Sequence, residues 1–263
     1  MNEALQPRVV LCDLDGVVWL SHRPIPGSVE AIARLRAAGH RVLFVTNNSS
    51  ARVEVQEATL AAIGIPAEGD VLTSALAAAL LLQPGERALV CGGEGIVQAL
   101  ERRGVETCTE GDADAVVVGF HRTFDFDGLA RAHRAVQRGA RLIGTNDDAT
   151  YPTPDGPIPG GGSILAAVET ACGLKAVVAG KPYEPMAALV RTEVGEAAAR
   201  RAVMVGDRPS TDGLFARTLG CTYAHVWSGV TPLGASFEPL PDLAADDLAA
   251  VADALVNGRL PGE

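Results

Sequence analysis

Val10-Leu11-Cys12-Asp13-Leu14-Asp15-Gly16-Val17 is an apolar run that ends abruptly in two carboxylates two residues apart. Its apolar part, reaching back to Arg8, is short and β-branched, which suits a buried strand. The carboxylates and the glycine follow where that strand would leave its sheet. In open α/β sheets ligands bind beyond that strand end. Asp-x-Asp-Gly is also common in solvated loops, so neighbouring segments have to decide.

Outward from this segment the chain alternates. Buried strands are expected at Arg41–Thr46, Val71–Thr73, Ala88–Cys91, Ala115–Val118, Arg141–Ile143, Ala176–Val178, Ala202–Val205 and Cys221–Val226. Helical patterns separate them. One runs from Ser28 to Ala38, with Val29, Ile32 and Leu35 at helical spacing and Gly39 as its stop. Another is expected after a cap at Ser49 or Ser50, closing at Gly64. Continuous apolar strands alternating with amphipathic helices predict an α/β fold whose mostly parallel sheet is covered on both faces. The stretch Thr145 to Gly162 is long, irregular and rich in Pro, Gly and Asp, as functional loops often are.

Three more strand ends carry polar chemistry. The second strand ends in Thr46-Asn47-Asn48-Ser49, which reads either as a phosphate cradle of hydroxyl and loop N–H groups or as an ordinary helix cap. Gly180-Lys181-Pro182 offers a lone cation, or a surface Lys in a turn, and lacks the flanking residues of a Walker motif. Val205-Gly206-Asp207-Arg208-Pro209-Ser210-Thr211-Asp212 places two further carboxylates after an apolar strand. Asp/Asp, Thr/Asn, Lys and Asp/Asp at four strand ends would all face one sheet edge.

Composition narrows the rest. The chain has 263 residues with 22 Lys+Arg against 32 Asp+Glu, a formal charge of −10, which argues against a nucleic-acid coat or an anionic-membrane binder. No apolar run is long enough to span a bilayer, and no secretory pattern opens the sequence. Five cysteines form no CxxC pair, which favours a reducing cytoplasm over a disulfide framework. Cys91-Gly92-Gly93-Glu94-Gly95 hints at a nucleotide fingerprint, but its spacing is incomplete and a tight strand-to-helix turn is the better reading. Cys12 is expected to point into the core. Trp19 and Trp227 either flank a cleft or pack, and His121 and His133 are expected to be surface or satisfied polar groups.

The order and spacing of these segments resemble the four motifs of the haloacid dehalogenase superfamily. They resemble most its 4-nitrophenylphosphatase-like branch, subfamily IIA, which includes the NagD-type phosphatases. Ile25-Pro26-Gly27, Leu60 to Gly64, Thr145 to Gly156 and Pro159-Gly160-Gly161-Gly162 read like that branch too. The resemblance implies a Rossmann-like three-layer α/β/α core over residues 1–79 and 179–263. It implies an inserted C2-type α/β cap over 80–178. It implies an Mg²⁺-dependent phosphatase of small phosphate monoesters: phosphoglycolate, glycerol phosphate, sugar phosphates, nucleoside monophosphates or 4-nitrophenyl phosphate.

The same resemblance assigns roles. Asp13 is the nucleophile, Asp15 the general acid and base, and Asp13, Asp15 (through its main-chain carbonyl) and Asp207 the metal ligands, with Asp212 orienting from outside. Lys181, Thr46, Asn47 and Asn48 would hold the phosphoryl group. Tyr151 would touch the leaving group or anchor its loop, and Asp148 would order that loop. Homo-oligomers through the cap are implied as well. Where the branch usually has a bulky apolar residue after the last Asp, this chain has Gly213, and Pro209 and Ser210 also depart, which questions the local backbone and the position of Asp212. A phosphomutase would use the same residues with a hydroxyl acceptor. A phosphoacceptor module would also cluster Asp, Thr and Lys, but needs neither a cap nor Asp15.

Overall fold

The computed structural model describes residues 7–20, 22–151, 153 and 155–259. Residues 1–6, read above for a secretory pattern, and Pro152 and Pro154 of the long irregular stretch lie outside the described residues. In chain order the elements are β1 (Val9–Cys12), β2 (Trp19–Leu20), β3 (Arg23–Pro24), α1 (Ser28–Ala37), β4 (Arg41–Thr46), α2 (Val53–Ala62), β5 (Val71–Thr73), α3 (Ser74–Ala79), β6 (Arg87–Cys91), α4 (Glu94–Arg102), β7 (Glu106–Cys108), β8 (Ala115–Val118), α5 (Phe126–Gln137) and β9 (Arg141–Gly144). They continue with β10 (Thr150–Tyr151), β11 (Ile158–Pro159), α6 (Gly161–Cys172), β12 (Val177–Val178), α7 (Glu184–Val194), α8 (Glu196–Arg200), β13 (Val203–Gly206), α9 (Leu214–Leu219), β14 (Thr222–Val226), β15 (Leu243–Ala245) and α10 (Leu248–Val256). The chain is an α/β protein. Among the described residues no helix is long and apolar enough to cross a membrane.

Two compact units emerge, one of residues 1–45, 56–72 and 190–263, the other of residues 46–55 and 73–189. Segments 46–55, 73–79 and 179–189 therefore pack with the second unit, alongside the 80–178 stretch.

The first unit is built on a six-stranded sheet of order β15-β14-β13-β1-β4-β5. Its central pairs are parallel, Cys12 facing Phe44 on one side and Val205 on the other. The chain leaves β1 toward β4 and β5, then returns to the opposite side of β1 for β13, β14 and β15. That reversal makes the β1/β13 boundary a topological switch point, where an open α/β sheet leaves a crevice beyond its carboxyl ends. β1 and β13 are buried along their whole length, as strands covered on both faces must be. Each fully buried Val or Leu contributes about 1.5–3 kcal/mol.

Helix α1 starts after Gly27, whose φ of 83° is a left-handed turn that glycine adopts without a steric penalty. It ends before Gly39, the stop expected from the sequence. Its buried face is Ser28, Ala31, Ile32 and Leu35, with Val29 only half-buried. The buried stripe thus includes Ser28, whose hydroxyl donates to the Val18 carbonyl at 2.8 Å, in place of Val29.

The second unit has a five-stranded, all-parallel sheet of order β12-β9-β8-β6-β7. Its switch point lies between β6 and β8. The core beside it comprises Val116, Val118, Ala132, Ala135, Leu165 and Val168 among others. Every strand expected from the sequence is present to within a residue at each end. The strands not expected, β2, β3, β7, β10, β11 and β15, are two or three residues long, too short to carry a periodicity.

The expected cap of α2 is corrected. The helix begins at Val53, and the Val53 N–H is taken by the Gln98 side chain at 3.0 Å. Ser49 is engaged elsewhere, its hydroxyl bonded to that of Thr145 at 2.8 Å, and Ser50 donates to Asn48 Oδ1.

Candidate active site

In the first unit, Asp13 leaves β1 and Asp207 leaves β13 at the switch point. The Asp13 N–H donates to the Val205 carbonyl at 2.9 Å, extending the ladder to the first carboxylate. Beyond the strand Leu14 is buried, and Asp13 and Asp15 on either side of it are half-exposed. The Leu14 carbonyl then accepts from Val18 and Trp19, folding the chain into a tight turn. Cys12 is fully buried, as expected.

Asp212 sits on a wide, π-helical turn at Pro209–Gly213. Its N–H donates to the Arg208 carbonyl at 2.7 Å, and its Oδ2 accepts the Arg208 N–H at 3.1 Å. Arg208 thus holds Asp212 inside, fully buried. A Cβ on Gly213 would come 2.9 Å from Tyr223 and 3.0 Å from Pro239, so those rings fill the space a bulky neighbour would need.

One carboxylate oxygen each from Asp13, Asp207 and Asp212 lie within 4.8 Å of one another. Asp207 Oδ2 accepts the Val230 N–H at 2.7 Å, while its buried Oδ1 has no hydrogen-bond partner. Burial first, then the charges of Asp212 and Asp13, push the Asp207 carboxyl up to about 7. Glycines make room for the cluster. A Cβ on Gly16 or Gly229 would overlap the Asp207 carboxylate, and one on Gly206 would overlap Asp212. The loop after β14 closes the cradle, with Ser228 Oγ donating to the Gly16 carbonyl at 2.7 Å and Thr231 Oγ1 to the Asp207 carbonyl at 2.5 Å.

An orphaned carboxylate oxygen inside a crowd of like charges is the environment a hard divalent cation relieves, and all-oxygen donors suit Mg²⁺. The residues fit such an ion. Sequence reading noted Gly16 beside the carboxylates without giving it a role, and it missed the Ser228–Thr231 loop, for which a hint was Ser228-Gly229 shortly after an apolar strand.

In the second unit Asn47 is a hub. Its Oδ1 accepts the Lys181 N–H at 2.8 Å, and its Nδ2 donates to the Lys181 carbonyl at 3.0 Å and to Asp148 Oδ2 at 2.9 Å. Its own carbonyl accepts from Ser74 Oγ and Asn146 Nδ2. A Cβ on Gly180 would lie 2.5 Å from Asn47 Oδ1, so glycine is required for the approach. Lys181 is 2% exposed. Thr46 is buried, and its Oγ1 accepts the Asn48 N–H at 3.1 Å, which leaves the hydroxyl proton to donate elsewhere.

Tyr183 donates its hydroxyl proton to Asp147 Oδ2 at 2.5 Å, and that carboxylate pushes the phenol up to about 12. Tyr151, on the β10–β11 hairpin, stacks on Phe120 at 5.5 Å. Asp148 receives Asn47 and so ties its loop to the Thr46–Asn48 segment.

The glycine turn Cys91–Gly95 has an occupant of its own. Gly95 N–H donates to the Ser50 carbonyl at 3.0 Å, and a Cβ on Gly93 or Gly95 would strike the backbone of residues 49–51. The chain itself fills the crevice where a fingerprint would seat a nucleotide. Trp19 is buried, and Trp227 packs with His225 and Phe237. His121 and His133 are half-exposed and His121 Nδ1 bonds Thr123 Oγ1 at 3.3 Å, in line with the expectation, but His121 Nε2 and His133 Nδ1 are buried without a hydrogen-bond partner.

Comparison with known proteins adds to this geometry. Residues 10–106 match the haloacid dehalogenase-like hydrolase model, and residues 178–251 match a HAD-hydrolase-like model. The chain is 39% identical over 228 residues to D-glycerol 3-phosphate phosphatase of Mycobacterium tuberculosis, covering 84% of this chain and 63% of that one. It is 38% identical over 245 residues to chronophin of Mus musculus, covering 87% and 83%. The crystal structure of glycerol phosphate phosphatase from Mycobacterium tuberculosis with magnesium superposes with a TM-score of 0.86 at 34% identity, covering 95% of this chain and 78% of that one.

Proposed function

Since the chain belongs to the haloacid dehalogenase-like hydrolase family, we propose that it is a magnesium-dependent phosphatase of small phosphate monoesters. The observation that carries this reading is the Asp13, Asp207 and Asp212 cluster around an unpartnered carboxylate oxygen.

Asp13, Asp207 and the Asp15 main-chain carbonyl would hold the ion, with Asp212 orienting from outside. When bound it neutralises the charge that otherwise keeps a carboxylate from an anionic phosphate. Asp13 attacks phosphorus. A bond forms between its carboxylate oxygen and phosphorus, the ester P–O bond breaks, and Asp15 gives its proton to the departing alkoxide. Asp15, now ionised, takes a proton from water as that oxygen attacks phosphorus. The bond to Asp13 breaks and inorganic phosphate leaves. Thr46 donates its free hydroxyl proton to a phosphoryl oxygen, helped by the Asn47 N–H and by Asn48, and Lys181 supplies a point charge. The Asn47 side chain acts as a positioning group, since it is committed to the Lys181 backbone. Tyr151 borders the leaving group.

By family resemblance the catalytic core comprises residues 1–79 and 179–263 and the cap 80–178. Candidate esters are phosphoglycolate, glycerol phosphate, sugar phosphates and nucleoside monophosphates. The names of the relatives favour glycerol phosphate among them. Cysteine usage favours a cytoplasmic location, and the family resemblance favours a homo-oligomer through the cap.

The deciding experiment is phosphate release from 4-nitrophenyl phosphate by wild type and Asp13→Asn, with Mg²⁺ and with chelator. Metal-dependent turnover that vanishes in the variant is expected. A variant as active as wild type would overturn the assignment of the nucleophile.

A further inference from the structure

On the second unit, α5 and the Glu110–Asp114 loop border a pocket of about 360 Å³, none of whose lining residues was given a catalytic role above. Its walls are Glu110, Gly111, Asp127, Arg131, Arg134 and Arg138. Residues 127, 131, 134 and 138 fall at helical spacing, so α5 presents Asp127, Arg131 and Arg134 along a single ridge that Arg138, the residue after the helix, continues.

The arginines differ in employment. Arg138 is used in construction, its Nε paired with Asp112 Oδ1 at 2.8 Å and its Nη2 bonded to the Gly111 carbonyl at 3.0 Å. Arg87 secures the same loop from behind, with Nη1 on the Asp112 carbonyl and its N–H on Asp114 Oδ2. Gly111 turns the loop at a φ of 91°. Two arginines thus fix the wall. Arg131 and Arg134 make no ion pair among the described residues. Arg131 is half-buried and Arg134 exposed. In a chain whose formal charge is −10, two uncommitted guanidinium groups on one preformed pocket are a specific feature rather than a general basic surface.

A planar guanidinium offers paired N–H donors that match phosphate oxygens bidentately. Glu110 and Asp127 on the rim repel free anions but accept hydrogen bonds from hydroxyl or ammonium groups. We propose that this pocket is a second binding site, for a small phosphorylated metabolite held by its phosphate on Arg131 and Arg134 with its polar remainder toward Glu110 and Asp127. The proposal is independent of the phosphatase reading, because binding is measured without turnover.

The test uses inorganic phosphate as probe. The full chain is titrated in the presence of chelator, and amide and arginine Nε–Hε signals are followed by NMR. Saturable shifts are expected at Arg131, Arg134, Gly111 and Gly128. Arg131→Gln and Arg134→Gln should weaken the dissociation constant read at Gly111 at least tenfold. Asp127→Asn and Glu110→Gln should tighten it severalfold, an opposite sign that loss of folding cannot produce. Turnover of 4-nitrophenyl phosphate should be unchanged in all four variants. Shifts confined to the loops after β1 and β13 would overturn the proposal. So would a constant indifferent to the arginines, or no saturation at these residues up to tens of millimolar phosphate.

Discussion

Asn47 shows how one side chain can matter more through what it holds than through what it touches. Its three side-chain hydrogen bonds fix the backbone on both sides of Lys181 and restrain Asp148. Asn47→Ala leaves the Lys181 N–H and carbonyl to find new partners. A loss of about 1–3 kcal/mol in urea unfolding is expected, with a fall in turnover larger than any rise in KM. Gly229 is the complementary case. Its backbone is not left-handed, so Gly229→Ala adds no torsional strain, only a methyl group against the Asp207 carboxylate. Mg²⁺ affinity, measured by calorimetry, should fall more than tenfold while the circular dichroism spectrum is kept. An affinity equal to wild type would mean that Asp207 is not held by this cradle.

At the scale of elements, helix starts are set by partners distant in sequence. α2 opens where Gln98 accepts the Val53 N–H and donates to Glu54 Oε2 at 2.6 Å, a reciprocal arrangement made by a residue of α4. Ser49 and Ser50 have the right chemistry for a cap at the right place in the sequence, yet both are bound elsewhere. Gln98→Ala should cost about 0.5–2 kcal/mol in urea unfolding, the range of a lost cap. Ser50→Ala should leave the start of α2 unchanged, read as amide exchange of its first turn. The nine strands read from the sequence were legible because continuous apolar runs bounded by turns have few other solutions, even at β5 and β12, where only three and two residues pair. The other six depend on neighbours.

Across the whole molecule, the carboxylate cluster couples folding to pH and to metal. Burial and two like charges raise Asp207 to about 7 in the metal-free chain, whereas the unfolded chain keeps an ordinary carboxylate. The folded state therefore binds a proton that the unfolded state has released. That contribution to stability is fully present below the ordinary carboxylate range and is lost as pH rises through about 7. With chelator, the thermal midpoint should drop between pH 5 and pH 8. Mg²⁺ should raise it more at pH 8 than at pH 5, and Asp207→Asn should flatten both trends. Scanning calorimetry checks this, and an Mg²⁺ effect equal at the two pH values would contradict it.

The sequence by itself determined the alternation of buried strands and helices and the residue types at the strand ends, but not one common sheet edge for them, because β12 before Lys181 pairs in the second unit's sheet. Each is a local property, since apolar continuity, β-branching and a carboxylate after a strand need no partner to be read. Only the tertiary structure decided that Asp13, Asp207 and Asp212 share a few ångströms and that Asn47 serves the Lys181 backbone. It alone decided that residues 49–51 fill the glycine turn after β6 and that Gln98 opens α2. Those facts rest on hydrogen bonds and close approaches between segments far apart in sequence. A chain read residue by residue shows which groups can bond, and only packing fixes which do.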